Sequence, residues 1–247
     1  MADEVNREPI AVDPRRLLGH IHGGRVLDVG TGYGGFIAFL ADGLADYEEI
    51  VGIEVDASRQ ARFDVAVTGR RNVRFVPGDF LGSTITPGEF GTVAISASLH
   101  HFVDAGPVLR RMHEILAPGG WMVVSEMYRD GQTAAQETEV AVHDWMADVD
   151  TATGGTHRPT FRRSEILALV GALGLEDVRT MDRADLLSDP FDPAAAAEIE
   201  GMIDRSATKA AGHRELEERI DGLRERLATV GVQEATVLTL AGRRPPN

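Results

Sequence analysis

The chain contains no cysteine. That excludes structural disulfides, a cysteine nucleophile and thiolate metal ligands. No apolar run approaches the roughly 20 residues that a membrane-spanning helix needs. The opening segment, MADEVNREPIAVDPRR, is acidic and polar, unlike an export signal. The expected location is therefore the cytosol, with no membrane partner. Basic charge is also scarce: 25 Lys and Arg stand against 39 Asp and Glu, for a net charge of −14. Such a chain repels phosphate backbones at long range. Its Arg-Arg pairs (15–16, 70–71, 110–111, 162–163, 243–244) are scattered, so nucleic acid is not an expected partner.

What is present is an alternation. RVLDV, EEIVGIEV, VRFVPGD, GTVAISAS and GWMVVSE are short, β-rich and bounded by Gly, Pro or Asp, as strands are. Helical patterns lie between them: FIAFLADGL, ASRQARFDVAV and AGPVLRRMHEIL, the last followed by Pro118-Gly119-Gly120. Alternating strands and helices predict an α/β fold with a doubly wound, mostly parallel sheet. LEDVRTM and ATVLTLAG add a sixth and a seventh strand. Ser164 is the expected N-cap of a helix whose apolar stripe is Ile166, Leu167, Leu169, Val170 and Leu173, with Gly174 at its end. The whole chain, 1–247, is expected to form one domain, with helical covers at about 127–160 and 193–230. In the second cover Leu216, Ile220, Leu223 and Leu227 form one apolar stripe, which fits either packing over the strand ends or a homodimer interface.

The stretch VLDVGTGYGG fits two patterns at once. Gly30, Gly32 and Gly35 match G-x-G-x-x-G, associated with dinucleotides; Asp28 followed by Gly30, Gly32 and Gly34 matches an acidic residue with G-x-G-x-G. Glu54, ending the second strand, can accept hydrogen bonds from ribose hydroxyls in either case. Asp28 separates the two. A carboxylate two residues before the loop disfavours a pyrophosphate and suits a ligand carrying a sulfonium and an ammonium. Asp79, at the end of the third strand, can accept an adenine amine, and Phe80 can pack on the ring. Asp56 is read first as the N-cap of the helix that follows.

VLDVGTGYGGF, GIEVD, VPGDF, SLHHF and ILAPGGWMVVSE, in this order, resemble the class I S-adenosylmethionine-dependent methyltransferases, in particular the branch that acts on ubiquinone- and menaquinone-type and other small molecules. The resemblance covers about residues 20 to 126 well and 161–182 more loosely. It implies a Rossmann-like, seven-stranded sheet with an antiparallel last strand. It implies that Asp28, Gly30 and Gly32 line the methionine side of S-adenosyl-L-methionine, Glu54 the ribose, and Asp79 and Phe80 the adenine, with Val55 also at the cofactor and Ser96 at the fourth strand's end. Glu54 stands where Asp is commoner, which keeps the carboxylate. The N/D-P-P-Y tetrapeptide of methylases acting on adenine or glutamine amide nitrogens is missing. The implied function is in-line methyl transfer to a small-molecule acceptor; the alternatives are an NAD(P)-dependent oxidoreductase and a non-catalytic S-adenosylmethionine-binding protein.

On the acceptor side, His100 and His101 are the candidates for a general base, with packing or hydrogen bonding as the plainer reading. Glu126 can orient a substrate or pair with Arg129. His143, Trp145, His157 and Arg158, on the proposed cover, are candidate substrate contacts; His143 and Trp145 can equally be helix-packing residues. His100, His143, His157 and Glu126 are all metal-ligating residue types, but no H-x-x-H or H-x₃-H spacing supports them, and no metal is expected.

Overall fold

The computed structural model describes residues 7–9 and 12–246. Its strands are β1 (Arg7–Pro9), β2 (Arg25–Val29), β3 (Glu49–Glu54), β4 (Val73–Pro77), β5 (Phe90–Ser96), β6 (Leu116–Met127), β7 (Glu176–Ala184) and β8 (Val237–Arg243). They form one sheet in the order β1-β7-β8-β6-β5-β2-β3-β4, parallel except for β8, which runs antiparallel to β6 and β7. Seven of the strands are those expected from sequence, including the antiparallel last one. The eighth is a correction: Arg7–Pro9 pairs in parallel with Asp182–Ala184 at the sheet edge. Three residues ending in proline carry no readable period, and proline is tolerated at such an edge.

The central strands are buried on both faces, as parallel strands under helices must be. Alternation divides their side chains. Val26 and Ile50 face a layer with Leu17 and Leu18 of α1 (Arg15–Leu18) and with Ile37, Leu40 and Phe63, from α2 (Gly35–Gly43) and α3 (Gln60–Ala66). Leu27, Val29, Val51 and Ile53 face the opposite layer, with Leu109 and Met112 of α4 (Ala105–Ile115) and Ile166 and Val170 of α6 (Arg163–Gly171). The chain order reverses at β2, which pairs with β3 on one side and β5 on the other. Ligands of open α/β sheets bind in the crevice beyond the strand ends at such a switch point.

The covers pack on each other. The first is α5 (Ala134–Ala152), opened by a capping box of Thr133 and Gln136. The second is three pieces, not one run: α7 (Pro193–Ala210), α8 (Arg214–Glu217) and α9 (Ile220–Val230), broken at Gly212, whose φ is 88°. Asp192 caps α7 and Pro193 opens it. Val142, Trp145 and Val149 of α5 meet Ile199, Ile203, Leu223 and Leu227 in a third apolar cluster, with Leu216 and Ile220 packed against it. The stripe that fitted a homodimer is thus occupied within the chain.

Ser164 does not cap α6. The cap is Arg162, whose backbone N–H donates to Glu165 Oε2 at 2.6 Å, and the helix ends at Gly171, three residues before Gly174. A Glu at the third helical position can close a helix start without a Ser or Thr cap, which misplaced the boundary by two residues. Among the described residues no helix is long and apolar enough to cross a membrane.

Candidate functional site: the crevice at the glycine loop

The chain leaves β2 through Gly30 (φ 65°), Gly32 (φ 55°) and Gly34 (φ 82°), all left-handed, whereas Gly35 has entered α2 with no such constraint. The structure therefore uses the G-x-G-x-G reading. A Cβ on Gly30 would lie 2.7 Å from Ser98 Oγ, so the β5 loop closes directly on it. The Gly32 N–H donates to Glu54 Oε2 at 3.0 Å, and Glu54 Oε1 accepts from the Asp56 N–H at 3.0 Å. A loop amide turned onto a buried carboxylate is not presented to a phosphate.

Asp28 is 1% exposed. Its Oδ2 accepts from Thr31 Oγ1 at 2.6 Å, while its Oδ1 is buried with no hydrogen-bond partner. Burial pushes its carboxyl up to about 7, against the lowering effect of Thr31, with the nearby Glu54 adding to the rise. A buried acceptor without a donor costs free energy until a ligand supplies one.

Asp28, Gly30, Gly32, Glu54, Val55, Asp79, Phe80 and Ser96, the eight residues expected around a cofactor, all line one cavity of about 570 Å³. Phe80 is buried, Val55 is 75% exposed at the lip, and Asp79 Oδ1 accepts from the Leu81 N–H at 3.1 Å. Asp56 caps the turn at Ala57–Arg59, accepting from the Ser58 N–H at 3.0 Å, and does not line the cavity. The cavity also includes His101, one of the two candidate bases, and Arg59, Ala97, Ser98 and Thr156, which sequence reasoning did not select. Ala97 (φ 45°) holds a left-handed conformation that is costly for a residue with a Cβ. Nothing in S-A-S announces that turn; Ser98, one step past the expected Ser96, is recognisable only from its bond to the Gly30 carbonyl at 3.0 Å.

The acceptor-side residues separate. His101 lines the cavity; its imidazole is pushed down to about 3, first by desolvation and then by the rings of His100, His157 and His143, although part of its surface stays open. His100 turns away from the cavity, its Nδ1 3.0 Å from Glu126 Oε2. Glu126 is 1% exposed, and its Oε1 accepts from the Ser98 and Leu99 N–H groups at 2.8 and 2.7 Å. It braces the β5 loop and does not pair with Arg129, which meets Glu165 at 3.5 Å and donates to the Thr160 carbonyl. β6 directs Glu126 inward while Arg129, past the strand's end, faces out. Trp145 is also no substrate contact: it is fully buried in the cover cluster, its indole N–H donating to the Leu216 carbonyl at 3.1 Å. His143 and His157 meet at 3.3 Å between Nε2 atoms. Arg158 parts from His157 and enters a second cavity of about 680 Å³, which it lines with Arg110, Arg129, Leu169 and Leu173.

The methyltransferase-domain family matches residues 3–180, and the chain belongs to it. Its mostly parallel sheet with an antiparallel last strand, and its glycine loop, are those that the resemblance to the class I S-adenosylmethionine-dependent methyltransferases implied. Its relatives include the demethylmenaquinone methyltransferase of Thermus thermophilus, 32% identical over 108 residues, covering 41% of this chain and 46% of that one. They also include the ubiquinone biosynthesis O-methyltransferase of Bordetella bronchiseptica, 31% identical over 130 residues, covering 49% and 52%. The chain spans about half the length of these curated relatives. A crystal structure from Bacillus halodurans C-125 superposes with a TM-score of 0.61 over 92% of this chain and 95% of that one, at 16% identity, and so shares the fold.

Proposed function

We propose that the protein transfers a methyl group from S-adenosyl-L-methionine to a small-molecule acceptor. The observation that carries the reading is the unpartnered, buried Oδ1 of Asp28 in the same cavity as Glu54, Asp79 and Phe80. That set of acceptors, with the Phe80 ring, fits a ligand with an ammonium at one end and a nucleoside at the other. Asp28 accepts from the ammonium. Glu54, already anchored by two backbone N–H groups, keeps lone pairs for ribose hydroxyls. Asp79 accepts from the adenine amine, and Phe80 and Val55 enclose the base. Gly30 and Gly32 let the backbone approach without a Cβ in the way.

Bound there, S-adenosylmethionine supplies an electrophilic methyl. The chain's part is to align an acceptor in line with it, exclude water, and take a proton where the acceptor carries one. His101 is the imidazole on the cavity wall, hydrogen-bonded to the Thr156 backbone, and is the residue we assign to meet the acceptor. His100 acts through the Glu126 brace. The relatives' names point to acceptors of the ubiquinone and demethylmenaquinone kind, and an apolar second cavity edged by three arginines lies nearby.

Calorimetric titration with S-adenosylmethionine, S-adenosylhomocysteine and NADH tests this. Micromolar binding of the first two, weakened roughly 10–150-fold in Asp28→Asn, is the expected result. Binding of NADH alone would overturn the reading in favour of hydride transfer.

A further inference from the structure

Beside the crevice, three histidines from three segments converge. His100 lies in the turn Leu99–His101, His143 on α5, and His157 on the loop between α5 and α6. One nitrogen from each lies within 4.8 Å of the others. His100 is 3% exposed, His157 6%, and His143 is half-buried. Their spacing in sequence gives no motif; the fold supplies the convergence that the spacing does not.

On its far side each ring has a carboxylate. His100 Nδ1 is 3.0 Å from Glu126 Oε2, His157 Nδ1 is 2.9 Å from Asp150 Oδ2, and His143 Nδ1 is 3.7 Å from Asp144 Oδ1. At His100 and His157 the carboxylate is within hydrogen-bond distance of Nδ1, holds the proton there and leaves Nε2 as a bare lone pair, whereas Asp144 is only a charged neighbour of His143. The Nε2 atoms of His143 and His157 face each other at 3.3 Å. Two lone pairs at that distance repel unless a proton or a cation sits between them. A proton on His143 Nε2 would leave its Nδ1, which is buried and makes no hydrogen bond, an orphaned acceptor beside the Asp144 carboxylate. A cation removes both difficulties. Two imidazoles on one tetrahedral zinc ion, each at about 2.0–2.1 Å, have nitrogens about 3.3–3.4 Å apart. The His143–His157 pair already has that spacing; His100 must close by a side-chain rotation.

We propose that His100, His143 and His157 form a binding site for a divalent transition-metal ion, with zinc the best match, the rings of His100 and His157 being oriented by Glu126 and Asp150. An all-imidazole set suits zinc, cobalt, nickel or copper rather than magnesium or calcium. Three protein ligands leave a coordination position open. His101, whose ring centre is 4.4 Å from those of His100 and His157, separates the site from the proposed cofactor cavity. The proposal is independent of the methyl-transfer reading, because its test measures the metal alone.

Tag-free protein is stripped with chelator, dialysed against zinc and passed through a desalting column. About one zinc per chain should remain, and His143→Ala and His157→Ala should each retain less than a tenth of that. His22→Ala, an exposed histidine paired with Asp46, should retain all of it. Asp150→Asn should bind about 10–100-fold more weakly. Cobalt added to the stripped wild type should give the visible bands of low-coordinate nitrogen ligation. That measurement does not depend on how well the variants fold. Zinc washed from the wild type, zinc retained equally by the two histidine variants, or a cobalt spectrum no different from the aqueous ion would each overturn the site.

Discussion

The rim of the glycine-loop crevice and the histidine side of the molecule lie next to each other but are built differently. The rim is local. Asp28, Gly30 and Gly32 follow one another at the end of β2, Glu54 and Val55 at the end of β3, and Asp79 and Phe80 just past β4. In a parallel sheet these ends are adjacent by construction, so a motif in each strand suffices to assemble the site. The histidine side joins the turn after β5, at His100, to a helix and a loop that carry His143 and His157, far along the chain. Its geometry depends on the rotational phase of α5 and on how α7 and α9 clamp it. Replacements in the two regions should therefore fail in different ways: on the rim, ligand affinity changes; under the cover, stability changes first.

The largest effect belongs to the cover. Trp145→Ala removes a fully buried indole and its bond to the Leu216 carbonyl. It should destabilise the fold by about 3–5 kcal/mol, measured by urea unfolding. At low temperature the protein that remains folded should keep its affinity for S-adenosylmethionine. A loss below about 1 kcal/mol would mean that the cover is loosely attached, and the contrast between the two regions would collapse.

Asp28→Asn should act the opposite way. It removes the acceptor for the ligand's cationic end and should weaken S-adenosylmethionine by about 1.5–3 kcal/mol, or roughly 10–150-fold, with little change in unfolding. It also carries a pH signature. The carboxyl sits at about 7 in the fold, above its ordinary 3.8, because burial disfavours its charge. Folded protein thus holds the proton more tightly than unfolded chain, and this group's contribution to stability is full below about 4 and is lost as pH rises to about 7. Binding a cation favours the ionised form, so affinity should rise with pH up to about 7 and then level off. In Asp28→Asn the rise should be missing. A wild-type affinity flat between about pH 5 and 8 would show that Asp28 does not meet the ligand's charge.

The same contrast explains what was legible in the sequence. Strand ends, a glycine loop and a carboxylate two residues before it are facts of short range; β2 to β6 followed from them, and the eight rim residues from them together with the family resemblance. Side chains on α5 were not legible, because a helix shows a period but not a neighbour. Trp145 and His143 are two residues apart and equally plausible as contacts; the fold buries one in the cover cluster and sends the other to His157. His157 and Arg158 are adjacent, yet His157 turns inward to meet His143 while Arg158 lines the second cavity. Glu126 read as a substrate residue because an acid at a strand end usually faces the crevice. Its use as a brace for the Ser98 and Leu99 N–H groups depends on the left-handed turn at Ala97, which no residue type signals.

The smallest effect sharpens the comparison from within the rim. Asp79 sits at the open side of the cavity, one oxygen already taken by the Leu81 N–H. Water competes there for any hydrogen bond it makes to an adenine amine. Asp79→Ala should therefore weaken S-adenosylmethionine by only about 1 kcal/mol, below the roughly 1.5–3 kcal/mol of a shielded bond to a charged acceptor. The loss should be the same for S-adenosylhomocysteine, which shares the adenine and lacks the sulfonium charge. Asp28→Asn should also affect both ligands, since both carry the ammonium, so matched titrations of the two variants against an adenine-free fragment, methionine, tell the ends of the cavity apart. Methionine binding should fall in Asp28→Asn and hold in Asp79→Ala. The reverse pattern would turn the ligand end for end in the crevice while leaving the fold and the glycine loop as they are.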